Sequence, residues 1–180
     1  MNAFDFDFLT TGRLQLRMLA DDDAPALLAL YGDAQVMRHW SHGPWTDIAQ
    51  AHAAIREARD DLLGGRALHL AIAPCSGEGL IGSCALFDVA AQHRRATLGY
   101  LLAPAYWGQG LAREALRALL AYGIEVLGLQ RIEAEVDPRN GASQALLLRL
   151  GFRREGLMHA RWRVGDEARD VELWALPARA

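Results

Sequence analysis

Tyr100-Leu101-Leu102-Ala103-Pro104-Ala105-Tyr106-Trp107-Gly108-Gln109-Gly110-Leu111-Ala112-Arg113-Glu114-Ala115-Leu116 reads as a strand, a glycine turn and a helix that opens directly from it. The first turn of a helix carries backbone N–H groups with no carbonyl partners, so the turn presents donors where an anion can reach them. Gly108 and Gly110 allow dihedrals closed to other residues and let a ligand approach the main chain without a Cβ in the way. Leu111, Ala115, Ala118, Leu119, Tyr122 and Val126 recur at helical spacing, and Gly128 sits where the helix should stop. Taken alone, the stretch fits either a phosphate-holding turn or an ordinary left-handed connection.

Two common phosphate motifs are absent. No Gly-x-x-x-x-Gly-Lys-Ser/Thr occurs, so the lysine and magnesium-holding hydroxyl of a P-loop are missing. Residues 107–112 also lack the third glycine of a dinucleotide fingerprint, and no acidic residue ends a second strand at the required distance.

The chain of 180 residues has the size of one domain, residues 1–180, with residues 1–10 as a possible tail. Its 52% apolar and 23% charged residues give a globular balance, and a net charge of −3 argues against nucleic acid as a partner. No apolar run reaches the ~20 residues that span a bilayer, and residues 1–10 carry two acids and no base, so neither a membrane partner nor a targeting peptide is expected. A cytoplasmic location is expected, with Cys75 and Cys84 as reduced thiols.

Outward from the opening stretch, alternating residues predict strands at 13–18, 67–73, 80–89 and 95–103, the last three as an antiparallel meander. Further strands are expected at 131–136, 152–164 and 168–176. Helices are expected from Pro25 to Tyr31, from Asp47 to Leu63 with Thr46 as cap, from Leu111, and from Gly141 to Arg149 with Gly151 as C-cap. Phe4-Asp5-Phe6-Asp7-Phe8 reads as a short exposed strand or as a tail docking its rings on a neighbour. The loop from Val36 to Trp45 holds two indoles and two imidazoles, which suits recognition at His39 and Trp40 or simple packing by Trp40 and Trp45. No third ligand accompanies His39 and His42, so no metal is expected. The fold class is α+β, a mixed, mostly antiparallel sheet of six or seven strands with about four helices.

Thr11-Gly12-Arg13-Leu14-Gln15-Leu16-Arg17, Leu80-Ile81-Gly82, Gly99-Tyr100, residues 106–116, Asp137-Pro138-Arg139-Asn140-Gly141-Ala142-Ser143 and Leu150-Gly151-Phe152 stand in the order and spacing of the GNAT superfamily. Together they resemble its RimJ/RimL-like branch, the ribosomal-protein N-terminal acetyltransferases and their relatives, over about residues 11–176. The resemblance implies acetyl-CoA as donor, an amine as acceptor, and a sheet splayed at its centre to admit the pantetheine arm. It implies that Leu101 and Leu102 meet pantetheine through their backbone, that Trp107, Gly108, Gln109, Gly110, Leu111 and Ala112 form the pyrophosphate loop, and that the Asn140 side chain bonds the pantetheine chain. Trp107 departs from the usual Gln or Arg and removes one polar contact. Arg113 adds a charge-assisted contact or stays solvated, and Ser143 lies one helical turn beyond Asn140 on the same side. A homodimer is common in the branch.

Amide formation requires an unprotonated amine, a stabilised oxyanion and a proton for the leaving thiolate. For the base, the resemblance points to Glu135, with Glu133 and Asp137 as rivals on the same strand face. For the acid, the superfamily often has a tyrosine where this chain has Leu147, leaving Ser143, with Tyr100 and Tyr106 behind it. The backbone N–H of Leu102 is the implied oxyanion donor. An acidic groove rimmed by Asp60, Asp61 and Glu78 would favour cationic acceptors. The acceptor is expected to be a protein N-terminus; a small-molecule amine, or no acceptor at all in a non-catalytic acyl-CoA binder, is the alternative.

Overall fold

Alternation of apolar residues along the strands produces one sheet with two buried faces. The computed structural model describes residues 6–77 and 79–177. In chain order its elements are β1 (Phe8–Thr10), β2 (Leu14–Met18), α1 (Ala24–Gly32), α2 (Ala34–Met37), α3 (Ile48–Gly64), β3 (Leu68–Pro74), β4 (Gly82–Ala90), β5 (Arg95–Leu102), α4 (Leu111–Glu125), β6 (Arg131–Val136), α5 (Gly141–Leu150), β7 (Arg153–Val164) and β8 (Glu167–Pro177). The strands form a single sheet in the order β1-β2-β3-β4-β5-β6-β8-β7. Every pairing is antiparallel except β5 with β6.

On one face, Leu16, Leu70, Leu86 and Ile132 pack with Leu116 and Leu119 of α4 and Leu147 of α5. On the other, Ala71 packs with Leu27 of α1 and Ile55 of α3. The change of face between Leu70 and Ala71 follows from the two-residue period of a strand.

The exception at β5 and β6 positions the site. These parallel strands pair only through Arg95–Arg131, Ala96–Ile132 and Thr97–Glu133. Beyond Thr97, β5 continues to Leu102 against β4 alone, and β6 continues from Ala134 to Val136 against β8 alone. Glu133 clamps the paired end, accepting from Arg95 at 2.6 Å and from Arg131 at 2.7 Å, while Arg131 also bonds Glu155.

The sheet has eight strands where six or seven are predicted. The additional one, β1, has three residues, too few to show a period. Phe6 sets its ring edge-on to Tyr122 at 5.3 Å, so the Phe-rich segment contributes both a strand and a docked ring, while Phe4 and Asp5 lie outside the described residues. The cap of α3 is Asp47 rather than Thr46: its carboxylate accepts from Ala49 N–H, and Gln50 reaches back to the N–H groups of Thr46 and Asp47. Residues 34–37, of which 36 and 37 are predicted as loop, form α2, one turn capped by Asp33, because so short a helix has no apolar periodicity to read. Cys75 is exposed and Cys84 buried; both are free, and burial pushes the Cys84 thiol up to about 12.

Leu116 is fully buried between α4 and the sheet, whereas Leu148 is 60% exposed. Leu116→Ala is expected to cost about 2–5 kcal/mol in a denaturant titration, and Leu148→Ala about 0.5 kcal/mol or less.

Candidate active site

The turn between β5 and α4 is held from the far side of the sheet. Glu114, in the first turn of α4, accepts from Thr11 Oγ1 at 2.7 Å, from Arg13 N–H at 2.8 Å and from Arg13 Nε at 2.7 Å, and Arg13 also donates to the Gln109 carbonyl at 3.1 Å. Thr11, Arg13 and Glu114 thus fasten the glycine turn to the start of β2. Gly108 (φ +72°) and Gly110 (φ +76°) occupy the left-handed region, which a β-branched residue enters only with strain. Gly110 caps α4 without any side-chain bond, so the first N–H groups of the helix are left for a ligand.

This turn forms one wall of a cavity of about 670 Å³. Leu101 and Leu102 line its floor, residues 139–143 the opposite wall, and Arg38, Arg113, Arg139 and Arg149 are spaced around it. A chain of net charge −3 therefore concentrates four guanidinium groups around one opening; Arg139 is paired with Asp137 and Glu167, and the other three suit a polyanion. Of the four, only Arg113 is expected from sequence. Arg38, Arg139 and Arg149 carry no local signal, because they come from three separate segments that only the fold brings together.

A second cavity of about 230 Å³ lies beyond the parted strands. Val36, His39, Tyr100, Leu101, Asn140 and Ser143 line both cavities, so the parting of β5 from β6 joins the two spaces. Backbone directions at this junction follow from the ladder. Ala103 N–H bonds the carbonyl of Ile81, the residue before β4, and the Leu101 carbonyl lies against Gly82, the first residue of β4. Strand alternation then turns the N–H and C=O of the intervening Leu102 toward the gap. Trp107 Nε1 donates to that carbonyl at 2.6 Å. The tryptophan expected only to remove a polar contact therefore supplies one, to the strand itself.

Asn140 caps α5 through a bond from Ser143 N–H at 3.1 Å. The Ser143 hydroxyl lies 2.6 Å from the hydroxyl of Tyr100. Burial pushes the Tyr100 phenol up to about 12, opposed by the bond to Ser143, so it keeps its proton across the neutral range. Leu147 is fully buried in the core, and the hydroxyl that α5 lacks there is present across the gap on Tyr100.

The three acids of β6 and its following turn have separate surroundings. Glu133 bonds Arg95 and Arg131 at the closed end and lines neither cavity, which removes it as a rival base. Glu135 lines the second cavity, but Oε1 accepts from Arg161 at 2.9 and 3.2 Å and Oε2 accepts from Trp162 Nε1 at 2.8 Å. Arg161 and Trp162, unforeseen from sequence, reach Glu135 beside a register shift in β7 between Met158 and Trp162. Asp137 is 1% exposed; burial pushes its carboxyl up, but the Arg139 guanidinium and N–H, with His39 nearby, hold it down to about 2.

His39 touches both cavities, with Nδ1 3.5 Å from Asp137 Oδ2. Trp40 lines the second cavity and lies over Gly99, where a Cβ would come within 3.6 Å of its ring. Trp45 packs the loop by stacking on Tyr31 at 4.2 Å. Of the expected acidic groove, Asp61 bonds Arg66 and lines a separate hollow with Glu57 and Asp88, neither Asp60 nor Asp61 lines the second cavity, and Glu78 lies outside the described residues. Among the described residues no cluster of His, Cys, Asp or Glu suits a metal ion, and no helix is long and apolar enough to cross a membrane.

The acetyltransferase (GNAT) domain family matches residues 13–153. The chain is 30% identical over 175 residues to the ribosomal protein uS5-alanine N-acetyltransferase of Escherichia coli K12, covering 93% of this chain and 89% of that protein. It is 31% identical over 147 residues to the spermidine N(1)-acetyltransferase of the same strain, covering 81% and 76%. Mycobacterium smegmatis RimJ in complex with CoA-disulfide superposes with a TM-score of 0.83 at 28% identity, covering 92% of this chain and 82% of that one. A glycine turn at a helix N-terminus, a ring of arginines and a sheet parted beside them fit coenzyme A in both charge and shape. The chain belongs to the GNAT family and is an acetyl-CoA-dependent N-acetyltransferase.

Proposed function

We propose that the acceptor is the α-amine of a protein or peptide N-terminus. The observation that carries this reading is the charge of the second cavity. Of its three acids, Glu135 is paired with Arg161 and Asp137 with Arg139, while Asp88 makes no ion pair among the described residues and lies within the field of Arg161. One carboxylate outside an ion pair suits a single ammonium better than a polycation, whose several charges would each need a partner on entering a partly desolvated space. The uS5-alanine acetyltransferase, similar over nearly the whole chain, acts on such an amine by its name. An α-amine, with a pKa near 7.7–8.0, also loses its proton far more readily than a lysine near 10.4.

In this reading the Gly108–Arg113 turn and Arg38, Arg113 and Arg149 hold the phosphates of acetyl-CoA. Leu101, Leu102 and Asn140 hold the pantetheine arm, whose thioester supplies the acyl group. Leu102 N–H faces the gap as an oxyanion donor. The Tyr100–Ser143 hydroxyl pair stands ready to protonate the departing sulfur. Trp40 and Glu135 form the wall against which the acceptor lies, with His39 at its inner end.

A mass-spectrometric screen with acetyl-CoA tests the acceptor. Peptides with a free N-terminus are expected to gain one acetyl group on the α-amine at a kcat/KM at least about tenfold above spermidine and above N-terminally blocked lysine peptides, a difference of ~1.4 kcal/mol. Acetylation of spermidine alone would contradict the reading, and release of no CoA with any amine would contradict catalysis itself. By calorimetry, Gly110→Val and Asn140→Ala are each expected to weaken acetyl-CoA binding about tenfold or more, from backbone strain and from a lost bond respectively. Tyr100→Phe is expected to lower kcat about tenfold while leaving acetyl-CoA affinity within about twofold, because removal of one proton donor acts on the transition state.

A further inference from the structure

We propose that His39 is the group that takes the proton from the acceptor amine, with Asp137 as the residue that positions it. The inference rests on amine acetylation as proposed above, but not on which amine is used.

His39 stands where the two cavities meet and keeps 25% of its side chain exposed. Its Nδ1 is buried, makes no hydrogen bond, and lies 3.5 Å from Asp137 Oδ2. Nε2 is thus the nitrogen left to the cavity. A carboxylate beside Nδ1 favours the tautomer protonated there, which puts the free lone pair on Nε2. The separation is longer than a hydrogen bond, as such pairs often are without substrate, and a small ring movement closes it.

Asp137 is itself immobile. Its carboxylate accepts from Arg139 N–H at 2.9 Å and from the Arg139 guanidinium at 2.7 and 2.9 Å, and its carbonyl accepts from Asn140 N–H at 2.8 Å. The same short turn therefore carries the cap that faces pantetheine and the anion that faces His39. Arg169 Nη1 donates to the Arg38 carbonyl at 3.1 Å, tying the segment before the imidazole to β8. The other charged or titratable groups around the two cavities that the ring faces are Arg38 on its own segment, Asp88 of β4, Tyr100 of β5, Arg139, and the Glu135–Arg161 pair of β6 and β7.

Glu135, the base that the family resemblance implies, has both oxygens bonded by Arg161 and Trp162, so an incoming N–H would have to displace or share with those donors. His39 Nε2 has no such competitor. As the amine nitrogen bonds the acyl carbon, its proton passes to Nε2. The C–S bond then breaks, sulfur keeps the electron pair, and the Tyr100–Ser143 pair supplies its proton. Solvent at the open side of the cavity takes the proton from His39 and replaces the one given up, so the sum is amine plus thioester to amide plus thiol.

The test uses whichever amine the wild-type chain acetylates, at saturating acetyl-CoA and acceptor. His39→Ala is expected to lower kcat about 10²-fold with acetyl-CoA affinity within twofold by calorimetry. Free imidazole should restore part of that rate, and the acidic limb of the wild-type kcat profile should be absent without it. His39→Gln should show the same loss with no acidic limb, whereas Glu135→Gln should retain the limb. The proposal is overturned if His39→Ala and His39→Gln keep kcat within threefold, if the loss is not rescued by imidazole and the limb persists, or if Glu135→Gln alone removes the limb. A wild-type chain that acetylates no amine would instead sink the functional reading on which this rests.

Discussion

Everything in this molecule depends on two parallel strands that pair for three residues and then part. A backbone N–H or C=O inside a protein needs a partner, and a sheet normally supplies it. Here β5 after Thr97 and β6 after Glu133 present facing edges with no strand between them. The closed end is clamped by Arg95, Glu133 and Arg131, and the open end is bordered by Asn140, Ser143 and Tyr100. The gap is therefore a built feature with a fixed hinge line, and an extended chain of amides such as pantetheine matches its unpaired groups.

Charge is organised around that gap by direction. On the α4–α5 side four arginines without a net-positive chain create a local anion site, set off by helix donors at Gly110. On the other side acids predominate, yet Glu135 and Asp137 are tied to Arg161 and Arg139. The two cavities thus differ in charge, basic on one side and richer in acids on the other, and they join at the parted strands. The Thr11–Arg13–Glu114 bonds keep the phosphate turn in register with the gap by linking it to the start of β2.

What could be read from sequence follows the range of the interaction. Gly108 and Gly110, the helix from Leu111, the Asn140 cap and the meander are local patterns, and each appears where its residues predict. The three-residue β1 and the one-turn α2 have no period to detect. The arginines at 38, 139 and 149 have no spacing relation to one another, since the cavity that unites them forms only when α2, the β6–α5 turn and α5 converge. The partners that distinguish the acids of β6 and its following turn come from β5, β7, the segment after α2 and their own neighbours: Arg95 for Glu133, Arg161 and Trp162 for Glu135, Arg139 and His39 for Asp137. Three carboxylates equivalent by alternation become a clamp, a cavity wall and a buried anion only through tertiary contacts. The hydroxyl of Tyr100 near Ser143 shows the same limit, because nothing in the spacing of residues 100 and 143 indicates that they touch.

A crystal structure of the chain with coenzyme A measures the central claim most directly. The account predicts the pantetheine arm lying between Leu101–Leu102 and Ala134–Val136, bonded to Leu102 N–H and the Asn140 side chain, with the diphosphate on the N–H groups of residues 108–113. A nucleotide bound elsewhere, or β5 and β6 zipped together past Thr97 and Glu133 in the complex, would contradict it.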